Sequence, residues 1–190
     1  MTATEETLTS AVDHVFLDAG GNEVRLSDLW SGSERGIVLV FLRHFGCLFC
    51  REHASQLRDM YPEFTRRGFD IVAIGQGTPM RSQRFREDYR LPFVVLGDKE
   101  LVSYRDYGLT HGIGNGITSP GAYKAFFRAL GSGHVPGKPD GDSLQNPGTF
   151  LIDRNGIILY QHVGTNAGDF PTAREILDWI DAVPDYGVTN

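Results

Sequence analysis

The feature that most constrains the fold is a strand-to-helix transition in the first third of the chain. Residues 37–42 (Ile-Val-Leu-Val-Phe-Leu) are continuously apolar and rich in β-branched side chains, which is typical of a strand buried on both faces. Over residues 48–67 the apolar side chains recur at spacings of three and four, at Leu57, Met60, Tyr61 and Phe64. This spacing predicts a helix with one buried face. A buried strand followed at once by such a helix predicts an α/β domain.

The same alternation continues along the chain. Residues 69–74 and 93–96 are short apolar segments bounded by turn residues, and each predicts another buried strand. Between them, Thr78 and Pro79 predict the N-cap and the first turn of a helix. A short helical turn is expected at residues 101–107.

An N-terminal hairpin is predicted from two short apolar segments, residues 15–17 and 24–26, which flank a glycine turn. Ser27 follows directly and is expected to cap a helical turn at residues 28–30.

A second hairpin and a helix are predicted near the other end. Asn155 and Gly156 separate the apolar segments 149–152 and 157–163, and Asn-Gly in that position is the strongest short-range hairpin signal. Pro171 is expected to open the last helix, because apolar residues follow it at helical spacing.

The order of elements predicts a three-layer α/β domain, with a mixed sheet between helices on both faces. Residues 108–147 are rich in glycine and proline. We interpret them as an insertion with one helix at residues 123–130, which is expected to cover an apolar pocket or to form a dimer contact. A length of 190 residues favours a single domain over residues 1–190.

Charge and hydropathy exclude several classes of protein. Eighteen basic and 24 acidic residues give a net charge of −6, and no run of basic residues exceeds two, so nucleic acid is not expected as a partner. Residues 1–14 are polar and acidic, without the apolar core of a signal peptide. The apolar segment at residues 37–42 is too short to span a bilayer. We therefore expect no membrane partner and a cytoplasmic location.

The chain has two cysteines, Cys47 and Cys50, at the start of the helix predicted after the first buried strand. The reducing interior of a cell disfavours a permanent structural disulfide, and two thiols are too few for a four-thiolate zinc site in one chain. A C-x-x-C motif at a strand-to-helix junction is typical of thiol redox sites. The two sulfurs lie one helical turn apart on the same face, so one can resolve a mixed disulfide formed on the other.

The surroundings of the motif favour a thiolate. Unpaired N–H groups at a helix N-terminus stabilise negative charge, and Arg43, at the end of the predicted strand, is a candidate for stabilising it further. His44 and Arg51 add positive charge nearby. Three alternatives stay open: inert buried cysteines, a zinc site shared between two chains, and an ordinary surface arginine at position 43.

No cofactor and no metal are expected. Gly75 and Gly77 have the spacing of the start of a dinucleotide fingerprint, but Met80 occupies the position of its last glycine. Metal-ligand spacing is lacking among the histidines considered, His111, His134 and His162. Gln76 and Thr78 follow a predicted strand at the sheet end where α/β proteins bind ligands, although Thr78 is also explained as a helix cap.

Three segments together resemble the peroxiredoxin-like AhpC/TSA family whose members carry C-x-x-C: residues 43–52 (Arg-His-Phe-Gly-Cys-Leu-Phe-Cys-Arg-Glu), 73–79 (Ala-Ile-Gly-Gln-Gly-Thr-Pro), and 141–150, with Gly-Asp-Ser-Leu-Gln and then Gly-Thr-Phe. The resemblance implies a thioredoxin-like fold and thiol-dependent antioxidant or reductase activity. Pro147 would then stand where thioredoxin-like proteins hold a cis-proline against the redox motif, or be an ordinary trans proline at a strand start.

One position departs from the family's pattern. Typical peroxiredoxins have threonine or serine three residues before the peroxidatic cysteine, whereas this chain has Cys47 there and Cys50 at the peroxidatic position. By analogy with thioredoxin, Cys47 is the nucleophile and Cys50 resolves. By analogy with peroxiredoxin, Cys50 meets the peroxide. We favour Cys47.

The resemblance implies reduction of peroxides or related small oxidants through a cycle between dithiol and disulfide. Arg43 could polarise a peroxide oxygen. The expected partners are the oxidant and a reductant, either thioredoxin or a low-molecular-weight thiol, and the pattern leaves room for a homodimer. A general protein disulfide reductase and a binding protein with inert cysteines are the alternatives.

Overall fold

The computed structural model describes residues 9–109, 111 and 141–184. In chain order, the elements in these residues are β1 (Val15–Leu17), β2 (Glu23–Arg25), α1 (Leu26–Gly32), β3 (Gly36–Phe41), α2 (Leu48–Arg66), β4 (Phe69–Gly75), α3 (Pro79–Asp88), β5 (Val94–Gly97), α4 (Val102–Asp106), β6 (Gly148–Asp153), β7 (Ile158–Val163) and α5 (Ala173–Ala182).

A five-stranded mixed sheet forms the centre, in the order β5-β4-β3-β6-β7. Strand β3 runs parallel to β4 and antiparallel to β6, so it lies in the middle of the sheet. All six of its residues are buried, as its continuous apolar sequence predicts. Helix α2 begins a few residues after the carboxyl end of β3.

Helices cover both faces of the sheet, which confirms the predicted three-layer α/β architecture. Alternate side chains of β3 point to opposite faces. Val38 and Val40 belong to a core shared with α2, α3 and α5, whereas Ile37 and Leu39 belong to a second core with α1 and α4. Cys47 and Cys50 of the C-x-x-C motif lie on the first of these faces.

The N-terminal hairpin is confirmed as an antiparallel pair of β1 and β2, but Ser27 is not the cap of the helix that follows. Helix α1 begins at Leu26, and Arg25 is its N-cap residue. The backbone N–H and hydroxyl of Ser27 donate to the Asp13 carboxylate, at 2.9 and 3.0 Å. A carboxylate from 14 residues earlier thus satisfies the first turn, which local sequence alone does not reveal.

The C-terminal hairpin of β6 and β7 is confirmed. Gly156 adopts a positive φ of 80° in its turn, and Asp153 accepts the backbone N–H groups of Asn155 and Ile157.

The last helix starts two residues later than Pro171. Its N-cap is Thr172, which exchanges hydrogen bonds with Glu175 in a capping box. This reciprocal pair satisfies two N–H groups and so fixes the start of the helix.

Most of the predicted insertion, including the helix expected at residues 123–130 and its suggested roles, lies outside the described residues. The single domain over residues 1–190 stays a prediction. Within the ranges described, none of the helices has the length and apolar character needed to cross a membrane.

Gly36 opens β3 where three strands meet, and it offers a test of this sheet. Its φ is 147°, and an added Cβ would strike the carbonyl of Ile152 and lie 2.8 Å from the Cα of Asp153. We expect Gly36→Ala to lower the free energy of unfolding by about 3 kcal/mol or more, because both the backbone and β6 must shift. Urea denaturation measures the loss.

The matched control is Gly32→Ala, at a helical glycine with open space around it. It should change the free energy of unfolding by about 1 kcal/mol at most. Equal losses in the two variants would contradict the register of β3 against β6.

Candidate redox site

Cys47 and Cys50 lie at the junction of β3 and α2. Cys47 is the N-cap residue of α2, with extended backbone angles (φ −71°, ψ 127°), and Cys50 lies in the first turn. The backbone N–H of Cys47 donates to the carbonyl of His44 at 3.0 Å, which closes a tight turn between strand and helix. The turn places the Cys47 sulfur beside the unpaired N–H groups of the helix start.

Phe45 anchors this turn. Its ring is buried and lies over Gly75 and Gly77, and a Cβ at Gly75 would sit 2.5 Å from the ring's Cζ. Phe85 of α3 packs against the same ring, with centroids 5.0 Å apart. The Gly-x-Gly pattern is thus explained by the close approach of an aromatic ring rather than by a nucleotide.

The Cys47 sulfur receives several stabilising interactions although it is buried. Hydrogen bonding from Cys50 contributes to the low pKa of this sulfur, and Nη1 of Arg43 lies 3.8 Å away. The hydrogen bond from the Cys50 thiol and then the charge of Arg43 lower the pKa of Cys47 to about 6, against the opposing effect of burial. At neutral pH Cys47 is therefore mainly a thiolate.

Cys50 has the opposite character. It is fully buried, and its sulfur accepts the backbone N–H of Arg43 at 3.2 Å. Burial first, and then the hydrogen bond and negative charge of Cys47, raise its pKa well above the ordinary value. Both cysteines are free thiols, so the pair holds one ionisable nucleophile and one thiol that keeps its proton.

Arg43 is held by the segment that leads into β6, the strand beside β3. Its Nε donates to the carbonyl of Gln145 at 2.9 Å, and its Nη2 donates to the carbonyl of Ser143. Both carbonyls belong to the segment that leads into β6. The guanidinium thus bridges that segment and the Cys47 sulfur.

Gln76, just after β4, holds the same segment at Asp142, the residue before Ser143. Its side-chain amide accepts the backbone N–H of Asp142 at 2.6 Å and donates to the Asp142 carbonyl at 3.0 Å. Gly141 lets the amide approach, because a Cβ there would lie 3.0 Å from the Gln76 Cδ, and its φ is 120°. Sequence analysis predicted only that Gln76 lies at the ligand-binding end of the sheet, because no local sequence pattern indicates a partner 66 residues away.

The other two candidate site residues, Thr78 and Pro147, are not hydrogen-bonded to the cysteine sulfurs in the part of the chain that the structure describes. Thr78 is the N-cap residue of α3, as predicted, but its side chain makes no capping bond. No hydrogen bond links Thr78 or Pro147 to either cysteine among the residues that the structure describes. The same residues contain no cis peptide bond, so Pro147 is trans, and its carbonyl accepts the N–H of Gly164.

A cavity of about 230 Å³ lies beside the motif, between α2 and the connection from β7 to α5. It is lined by aromatic, amide and carboxylate side chains as well as backbone, at Phe49, Glu52, His53, Gln56, Asn166, Gly168, Asp169, Phe170, Pro171 and Thr172. Sequence analysis did not single out His53, whose ring is buried and stacks on Phe170 at 4.4 Å. Across the described ranges, no group of three or more His, Cys, Asp or Glu side chains is arranged to hold a metal ion.

The fold and the cysteine pair define a thioredoxin-like protein with a dithiol at the start of a helix. Residues 7–161 match the model of the AhpC/TSA family, and the chain belongs to that family. This confirms the resemblance noted in the sequence and supports a thiol oxidoreductase.

Among its relatives is the chloroplastic thioredoxin-like protein AAED1 of Arabidopsis thaliana, which is 33% identical over 108 residues, covering 57% of this chain and 43% of that protein. Prostamide/prostaglandin F synthase of Salmo salar is 27% identical over 174 residues, covering 88% of this chain and 84% of that protein.

A solved structure shows the same fold. The crystal structure of peroxidoxin BcpB from Mycobacterium tuberculosis superposes with a TM-score of 0.68 at 21% identity, covering 94% of this chain and 97% of that chain. The thioredoxin-like fold expected from the sequence is therefore confirmed.

The effect of Arg43 on Cys47 is directly measurable. Arg43→Met removes the positive charge near the sulfur, so we expect the pKa of Cys47 to rise and the alkylation rate at pH 6 to fall severalfold. The measurement is the rate of iodoacetamide modification of Cys47 against pH.

Arg51→Met is the control, because Nε of Arg51 donates to the carbonyl of Phe45 at 3.2 Å. It should shift the pKa of Cys47 less. An unchanged profile in Arg43→Met would show that the guanidinium does not act on the thiolate.

His53 makes the stability of the protein sensitive to acid. Burial lowers its pKa from 6.5 to about 3, so between these values the unfolded chain binds a proton that the folded chain does not. The free energy of unfolding should fall with decreasing pH by about 1.4 kcal/mol per unit from this group. His53→Leu should remove that contribution, which denaturant titrations at pH 7, 5.5 and 4.5 will measure. Equal slopes in both proteins would contradict a neutral buried imidazole.

Proposed function

We propose that this chain is a thiol oxidoreductase that reduces peroxides or related small oxidants through Cys47 and Cys50. The observation that carries the proposal is the division of roles between the two sulfurs. Cys47 has a pKa lowered to about 6, whereas the pKa of buried Cys50 is raised. A reactive thiolate beside a protonated thiol suits attack by the first cysteine and resolution by the second.

In the first step the Cys47 thiolate attacks one oxygen of the peroxide. The S–O bond forms as the O–O bond breaks, and the leaving oxygen takes a proton from solvent to give an alcohol or water. Cys47 is oxidised to sulfenic acid and the peroxide is reduced by two electrons. Arg43, 3.8 Å from the attacking sulfur, is suited to polarise the peroxide oxygen.

In the second step Cys50 attacks the sulfur of the Cys47 sulfenic acid. The S–S bond forms, the S–O bond breaks, and the hydroxyl leaves as water with the proton of the Cys50 thiol. An external dithiol or low-molecular-weight thiol then returns the pair to the reduced state, so thioredoxin or such a thiol is the proposed reductant.

Limited access to the nucleophile favours small oxidants over protein disulfides. Only 5% of Cys47 is exposed, and Cys50 is fully buried. A peroxide needs only a narrow approach, whereas a protein disulfide must bring its own backbone to the sulfur. The second candidate, a general protein disulfide reductase, is supported by the C-x-x-C dithiol itself.

Three oxidants separate these candidates. Fully reduced protein is mixed with hydrogen peroxide, cumene hydroperoxide or insulin, and the free thiols of this chain alone are counted against time by alkylation and intact mass, because exchange with insulin moves thiols from one protein to the other without changing their total. We expect rapid loss of two thiols with the peroxides and slow loss with insulin, because of the burial of Cys47. Rapid loss with insulin alone would favour the disulfide reductase, and loss no faster than that of free cysteine would favour inert cysteines.

Two variants assign the cysteines. Cys50→Ser should react once with peroxide and stop, with a sulfenic acid on Cys47 that dimedone traps. Cys47→Ser should lose the rapid reaction, because the remaining thiol keeps its proton. Rapid oxidation of Cys50 in Cys47→Ser would transfer the nucleophile's role to Cys50.

A further inference from the structure

Arg43 can act on Cys47 only if its guanidinium is held in place. Its aliphatic stem is flexible, and a charged end free to rotate would spend much of its time in water. Two backbone carbonyls, of Ser143 and Gln145, accept its N–H groups. The position of the charge therefore depends on the position of these carbonyls, which lie about one hundred residues further along the chain.

Gln76 is placed to fix that segment. Its amide makes two hydrogen bonds to one backbone unit, accepting from the N–H and donating to the carbonyl of Asp142. Only a side chain with both a donor and an acceptor at this spacing can make both bonds. Gln76 is 4% exposed, so losing either bond in this buried setting is costly.

The segment has further ties, which limit how far it can move. The Asp142 carboxylate pairs with His111 at 2.8 Å and accepts the backbone N–H of Leu144 at 2.8 Å. The Gln145 amide donates to the carbonyl of Leu109 at 3.3 Å. These contacts shape the segment and link it to residues 109 and 111, while Gln76 attaches it to the carboxyl end of β4.

We propose that Gln76 is a positioning residue for the redox reaction, which holds residues 142–145 so that their carbonyls place the Arg43 guanidinium beside the Cys47 sulfur. The inference rests on the proposed role of Cys47 as the nucleophile. Gln76 touches neither sulfur nor substrate in this scheme. It acts through a chain of contacts that runs from β4 to the segment before β6, then to Arg43, and ends at the thiolate.

The test measures the pKa of Cys47 rather than turnover, so it does not depend on which oxidant the protein reduces. Gln76→Met keeps the side-chain length and removes both hydrogen bonds. We expect the pKa of Cys47 to rise and alkylation at pH 6 to slow by about fivefold for a rise of one unit. The rate at pH 9 should change little.

A double-mutant cycle separates positioning from a general loss of structure. In an Arg43→Met background, Gln76→Met should have no further effect on the pKa of Cys47, because the charge that it positions is gone. Gln83→Met is the control for a glutamine lost elsewhere, since Gln83 donates to Glu87 on the exposed side of α3. Thermal melts show that each variant is folded before its profile is compared.

The outcomes are distinct. A rise in the pKa of Cys47 in Gln76→Met that is absent in the Arg43→Met background supports the proposal. It is overturned by an unchanged pKa in folded Gln76→Met, or by an equal shift with and without Arg43. If the shift depends on Arg43 but peroxides are not reduced, the positioning role stands and the proposed substrate class fails.

Discussion

The hydrogen bond from the Cys50 thiol to the Cys47 sulfur is the interaction on which the site depends. A buried negative charge is costly unless it is hydrogen-bonded or paired, and Cys47 is buried although its pKa is lowered to about 6. The thiol of Cys50 supplies the largest of the stabilising interactions, and Arg43 supplies the opposite charge. The motif is therefore a coupled pair in which each sulfur determines the state of the other.

Keeping two sulfurs and a guanidinium together requires the surrounding backbone to approach closely. Phe45 closes over Gly75 and Gly77, and the Gln76 amide lies against Gly141. In both places a side chain occupies the space that a Cβ would fill. The carboxyl ends of β3 and β4 are thus packed against the turn before α2 and the segment before β6, which leaves little freedom for the atoms around Cys47.

The sequence predicted what depends on local pattern. The strand-to-helix junction at Cys47, the central buried strand and the Asn-Gly hairpin follow from periodicity and turn chemistry, and the structure confirms all three. The sequence did not reveal the contacts that depend on residues distant in the chain. Asp13 replaces Ser27 as the polar partner at the start of α1, and the contacts of Gln76 join positions 66 residues apart. His53 offered no signal because its burial is produced by α2 packing against Phe170.

The central claim is that the folded protein holds one thiolate and one thiol, with Cys47 as the thiolate. Labelling both cysteines with ¹³C at Cβ and following the two signals by NMR against pH measures each sulfur separately. The account predicts that the Cys47 signal titrates with a pKa of about 6, while the Cys50 signal stays in its thiol position through neutral pH and titrates only above the ordinary range of a cysteine. A Cys50 signal that titrates at lower pH than that of Cys47 would contradict it.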